Sequence, residues 1–202
     1  GSYIDETYSL CVGSADISVY EMVAAYNTFP SKGVSVSPIF VTRIEDNMGN
    51  VIGEFNNTKR EAIGEHTAYL MANLMQGVVN SGTGVRLRSK YGLKGEIAGK
   101  TGTTNDQSDG WFIGYTPSLT AGVWVGAEDR QVHFESLALG GGSNMALPIW
   151  GLFMKKVLAD GTLGVSEADR FVPSGIKLEL NCDGSDADAV QASQDDESLY
   201  FD

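Results

Sequence analysis

Apolar and polar positions recur along this chain with two periods, and the switches between them divide it into helices and strands. Ser18-Val19-Tyr20-Glu21 has the form of a capping box, in which the serine hydroxyl and the glutamate carboxylate each reach for the other's backbone amide. Val19, Met22, Val23 and Tyr26 follow at helical spacing, which predicts a helix to about Phe29, ended by Pro30 and Gly33. "SPIFVTRIED", "NMGN" and "VIGEF" read as strand, turn and strand. Arg43, Glu45, Asp46 and Glu54 give this hairpin a wet face, so it is expected at the periphery. "GEHTAYLMANLMQGVVNSG" predicts a second helix with Ala68, Met71, Leu74, Met75 and Val78 as its buried stripe and Gly82 as its stop. The methionines in it are read as core filling.

Strand signals then become dense. "EIAGKTGTT", "GWFIGYTP" and "SLTAGVWVG" are short and carry little helix signal. The last two are joined by Thr116-Pro117-Ser118, so they are expected to pair antiparallel. "GGGSNM" opens a final helix, "ALPIWGLFMKKVLAD", with Pro148 tolerated in its first turn. Its expected face is Ile149, Leu152, Phe153, Lys156 and Val157. The order predicts a mixed α/β (α+β) fold with an antiparallel sheet covered by helices. Residues 1–160 form its body, 161–182 a loosely structured extension, and 183–202 an acidic, disordered tail.

Composition narrows the chemistry. The chain has 202 residues and a net charge of −12, which argues against a polyanionic partner such as nucleic acid. Asp183 to Asp202 contains seven acidic residues and no basic one, the composition of a solvated tail. Cys11 and Cys182 make no metal motif or disulfide framework, and His66 and His133 stand in no metal-ligand spacing. No run of 18 apolar residues predicts a membrane-spanning helix. The chain begins Gly1-Ser2, without an initiator methionine, and is read as a piece of a larger protein.

One stretch carries chemistry: "GEIAGKTGTTND", residues 95 to 106. Gly99-Lys100-Thr101 suggests a phosphate loop, but that motif needs a glycine at position 94, which is Lys94. No helix follows to face an anion either. The other reading is the Lys-Thr-Gly signature of penicillin-reactive serine enzymes. A strand edge bearing Lys100, Thr101, Gly102, Thr103 and Thr104 offers a cation, hydroxyls and free backbone groups in one short run. An extended peptide can pair with such an edge and come close over Gly102. Lys100 supplies positive potential for a carboxylate and can tune a proton relay, Thr101 and Thr103 can donate to that carboxylate, and an amide just after Gly102 can serve an oxyanion.

The flanking runs make the signature specific. "AGKTGTTND", "DGWFIGYTPSLTAGVWVG" and "GGGSNMALPIW", preceded by "SVYEMVAAYNTFPSKGVSVSPIFVTRIEDNMGNVI", resemble the C-terminal part of the transpeptidase domain of class A penicillin-binding proteins from about residue 7 to about 160. The resemblance implies a penicillin-binding-protein and serine β-lactamase type fold at the periplasmic face of the bacterial cytoplasmic membrane. It implies D,D-transpeptidation of peptidoglycan stem peptides through a serine acyl-enzyme, trapping by β-lactams, and no cofactor. By position it makes Lys100 the motif lysine, Thr101 and Thr103 the carboxylate hydroxyls, and the Thr103 amide part of the oxyanion hole. Asp109 and Trp111 are read as structural.

Two family motifs are missing. The only S-x-x-K is Ser174-Gly175-Ile176-Lys177, behind the final helix and out of order, and no S-x-N occurs. Nucleophile and base must lie within hydrogen-bond reach of each other, so this chain alone is expected to be inactive. The serine, a glycosyltransferase domain and the membrane anchor are expected upstream. A non-catalytic periplasmic binding module and a D,D-carboxypeptidase are the alternatives. Two smaller departures, Gly110 in place of the usual alanine and "GAED" at 126 to 129, are expected to lie away from the cleft chemistry.

Overall fold

The computed structural model describes residue 4 and residues 6–173. Ser174 to Lys177, Cys182 and the acidic tail therefore lie outside the described residues. After a 3-10 turn at Tyr8–Val12, helix α1 spans Val19–Tyr26. Its capping box forms: Glu21 N–H donates to Ser18 Oγ at 3.2 Å, and Ser18 N–H donates to Glu21 Oε2 at 3.1 Å. The helix stops three residues short of Phe29, and the chain continues through turns.

Strand β1 (Val34–Val36) pairs with β4 (Lys59–Glu61), and between them β2 (Arg43–Glu45) pairs with β3 (Val51–Glu54), all antiparallel. The β2–β3 hairpin is peripheral as expected, with Arg43 ion-paired to Glu45 and Glu54. The β1–β4 pair has no legible sequence signal, because each strand has three residues and β4 is wholly charged.

Helix α2 spans Glu65–Asn80 and buries Ala68, Ala72, Met75 and Val79. Its expected stripe is thus rotated: Ala72 and Val79 point inward, and Leu74 is 62% exposed. The short helix α3 (Arg86–Ser89) follows. The main sheet has strands β5 (Ala98–Thr103), β6 (Asp109–Tyr115) and β7 (Thr120–Gly126) in the order β5-β6-β7, antiparallel throughout. The β6–β7 turn closes through Thr116 N–H donating to the Leu119 carbonyl at 2.8 Å. Short helix α4 (Leu137–Gly140) precedes the final helix α5 (Ala146–Ala159).

Strand alternation sorts the core into two faces. On one, Phe112 of β6 meets Trp150 of α5 edge to face, with ring centroids 5.2 Å apart, in a cluster with Ile97, Leu147, Met154 and Val157. The Trp150 indole donates to the Ala121 carbonyl at 3.0 Å. On the other face, Tyr115 packs with Ala72 and Met75 of α2 and with Phe29 and Phe171. Helix α5 thereby corrects a second expected face. Leu147, Trp150, Met154 and Val157 are buried, whereas Ile149, Leu152 and Phe153 are 51%, 56% and 47% exposed. Beyond Gly161 there is one 3-10 turn and no further helix or strand among the described residues, but the segment is pinned. Phe171 N–H donates to Glu96 Oε2 at 2.7 Å and its ring enters the core.

Candidate active site

Strand β5 carries the Lys-Thr-Gly-Thr run, pairs with β6 on one side, and has no strand on the other among the described residues. It leads into a 3-10 turn at Asn105–Gln107 and then β6, so no helix N-terminus follows Lys100 and the phosphate-loop geometry does not form.

The phase of the β5–β6 ladder decides which backbone groups are available. Thr104 N–H donates to the Asp109 carbonyl at 3.2 Å, one rung beyond the Thr103–Gly110 pair. In an antiparallel pair, hydrogen-bonded and non-hydrogen-bonded rungs alternate. Gly102 and Lys100 therefore bond into β6, opposite Trp111 and Ile113. Thr101 and Thr103 turn their N–H and C=O groups to the open edge. By the same alternation their side chains share the α5 face, while Lys100 and Gly102 share the opposite one.

The side chains are held individually. Lys100 is exposed, and its Nζ donates to the Thr101 carbonyl at 2.7 Å, an acceptor on the open edge. Thr101 Oγ1 lies 2.8 Å from Thr83 Oγ1. Thr103 Oγ1 accepts from the Gly142 amide at 3.0 Å. Thr104 differs: its hydroxyl accepts from Asp109 N–H at 2.9 Å and pairs with Ser108 Oγ at 2.9 Å, so it is engaged within the turn.

Gly142 lies directly over the Gly102–Trp111 rung. A Cβ there would sit 2.3 Å from the Gly102 carbonyl oxygen and 2.6 Å from that of Trp111. Gly110 makes room for this approach, since its own Cβ would fall 3.0 Å from Gly142 Cα. It pairs with Thr103 across the ladder, so this position, expected away from the cleft chemistry, lies beside the motif. Asp109 Oδ1 is buried and has no hydrogen-bond partner among the described residues, while Trp111 faces Trp124 across β6–β7. Asn144 accepts from Arg86 and donates to the Leu137 carbonyl at 3.1 Å, which ties the loop before α5 to α3.

Sequence reasoning missed Thr83 and Gly142. The only signals for them are glycine patterns: Thr83 stands between Gly82 and Gly84, and Gly142 closes a run of three glycines.

A family model described as the penicillin binding protein transpeptidase domain matches residues 1–136. Penicillin-binding protein 1A of Aquifex aeolicus is 34% identical over 150 residues, which cover 74% of this chain and 20% of that protein. The chain thus spans about a fifth of the length of this relative. Among solved structures, penicillin-binding protein 1A from Haemophilus influenzae matches with a TM-score of 0.68 at 23% identity, over 76% of this chain and 28% of that one. The imipenem acyl-enzyme complex of penicillin-binding protein A from Mycobacterium tuberculosis shares the fold at a TM-score of 0.57 and 20% identity, over 71% and 32%. With the family model matching most of its length and its fold recurring in these structures, the chain belongs to the penicillin-binding protein transpeptidase family.

Proposed function

We propose that this chain forms one wall of a peptidoglycan D,D-transpeptidase cleft whose nucleophile lies in the remainder of the same protein. The observation that carries the reading is the open edge of β5. Thr101 and Thr103 present backbone groups to it, and their hydroxyls stand on one face of the strand. A stem peptide ending in D-Ala-D-Ala lies along this edge as an added strand. Its terminal carboxylate accepts from the Thr101 and Thr103 hydroxyls, in the positive potential of Lys100. Gly102 allows the close approach, and the Thr103 N–H stabilises the oxyanion. Thr104, expected with them at the substrate, has its hydroxyl and amide engaged with Ser108 and Asp109 and supports the turn from which the edge runs.

In the reaction, a serine hydroxyl outside this chain adds to the carbonyl between the two alanines. The C–N bond breaks, the terminal D-alanine leaves with the proton, and an ester remains. An amine of a neighbouring stem peptide then attacks the ester, forms the cross-link and returns the proton to the serine. β-Lactams enter by the same route and stop at the ester; a mycobacterial protein of like fold forms an acyl-enzyme complex with imipenem. The chemistry is placed at the periplasmic face of the membrane, with an anchor and a glycosyltransferase domain elsewhere in the protein.

Fluorescent penicillin is expected to label the full-length protein and not the isolated chain. Strong labelling of the isolated chain would overturn the division of the site. A gene without S-x-x-K and S-x-N upstream would reduce the protein to a binding module. Product analysis with a stem pentapeptide separates transfer from D,D-carboxypeptidase hydrolysis.

A further inference from the structure

A hydroxyl has one proton, so a threonine can give that proton to a ligand only if its other contacts leave the proton free. Thr103 meets this condition by geometry. The Gly142 amide can only donate, so Thr103 Oγ1 is the acceptor in that bond and its proton is unused there. Thr101 has an analogous partner in the Thr83 hydroxyl at 2.8 Å, a pair that can run in either direction. A carboxylate on the open side accepts from Thr101 and so selects the direction in which Thr83 donates.

Neither partner is a casual neighbour. Thr83 is exposed, but its turn is locked onto the end of α2: Gly82 and Gly84 amides donate to the Val78 carbonyl at 3.1 and 2.9 Å. A Cβ on Gly82 would lie 2.9 Å from Val78 Cα, and one on Gly84 3.1 Å from the Val78 carbonyl oxygen. The turn is thus pressed against the helix at both flanks of Thr83. Gly142 is pressed onto the β5–β6 ladder in the same way. Arg86, just after the first loop, donates to Asn144 in the second. The two loops therefore form one bracket behind the pair of hydroxyls.

We propose that Thr83 and the Gly142 amide are positioning groups that aim the Thr101 and Thr103 protons at the substrate carboxylate. The inference rests on the carboxylate-binding reading given above. It makes the 82–84 turn part of the specificity for a free carboxyl terminus.

The test uses the full-length protein and two probes, a fluorescent penicillin and its carboxyl methyl ester. The readout is the ratio of their second-order acylation rates. Thr83→Val is expected to lower the acid-to-ester ratio about tenfold, the size of one mis-aimed hydrogen bond to a charged group. Thr83→Ser, which restores a hydroxyl, is expected to return the ratio to within about twofold of wild type. A general loosening of the strand lowers both rates together and leaves the ratio unchanged; that result overturns the proposal, as does a wild-type ratio in Thr83→Val. Thr83→Ala, with melting temperature measured alongside, serves if the valine variant is unfolded. Thr103→Val tests the underlying reading separately. If it leaves the ratio intact, the carboxylate assignment falls and the bracket falls with it. If it lowers the ratio while Thr83 variants do not, only the bracket falls.

Discussion

At the residue scale, space around single atoms decides outcomes. Gly142→Ala places a methyl against two carbonyl oxygens of a sheet rung, where neither neighbour can yield without breaking the ladder. It is expected to destabilise by about 1–3 kcal/mol, the usual cost of overpacking, read as a lower melting temperature. Gly110→Ala meets Met145 Cε first, the far end of a flexible side chain, and then Gly142 Cα. Its destabilisation is expected to be the smaller of the two. Tyr115 supplies a pH prediction. Burial, and secondarily the charge of Tyr26, raise its phenol above the ordinary 10.0. A raised folded-state pKa gives stability that is complete below the unfolded value and declines as pH rises through the folded one. Unfolding followed from about pH 9 to 12 should therefore show a loss above pH 10. Tyr115→Phe removes this titrating group and should shrink the loss, leaving the part due to Tyr26, which burial also raises. It costs little else, because the phenol's bond within the fold is to the Met75 sulfur at 3.4 Å, a weak acceptor.

Elements behave as units where their ends are tied. The β2–β3 turn is organised by Asp46, whose carboxylate accepts from the Met48 and Asn50 amides and the Asn50 side chain, each at 2.8 Å. These bonds, the Asn50 side chain first, hold its pKa below the ordinary 3.8. A depressed pKa means stabilisation present above 3.8 and lost as pH falls through the folded value. Amide chemical shifts of Met48 and Asn50 should therefore move below pH 3.8, and Asp46→Asn should abolish that step. Element order was legible from turn chemistry, since "NMGN" and Thr116-Pro117-Ser118 sit where the hairpins turn. Helix faces were less legible. In α2 and α5 apolar residues run around more than one side, so periodicity could not separate Leu74 or Phe153 from the buried set. The Lys-Thr-Gly edge was readable because it is contiguous. Its bracket was not, because Thr83 and Gly142 join it across 18 and 39 positions.

For the whole molecule, the question is what remains uncovered. Ile149, Leu152 and Phe153 form an exposed apolar stripe on α5, and Phe40, at 86% exposure, stacks on Tyr20 at a centroid distance of 5.4 Å. Exposed apolar surface of this kind favours association. The isolated chain is expected to self-associate as salt is raised, and Leu152→Lys with Phe153→Glu should shift it toward monomer in size-exclusion chromatography. Unchanged elution would mean that the stripe is not the sticky surface.

The strand order β5-β6-β7 also has a consequence in time. Each neighbour in this sheet is the next strand in the chain, so its ladders close over short loops and at low entropic cost. The Gly142 half of the bracket is a late arrival by the same reasoning, since Gly142 must return from beyond β7. Pulse-labelled hydrogen exchange during refolding is expected to find the Gly102 and Trp111 amides protected before that of Gly142. The edge proposed above to receive a peptide would then exist, for a moment in every folding event, before the Thr103 hydroxyl has its partner.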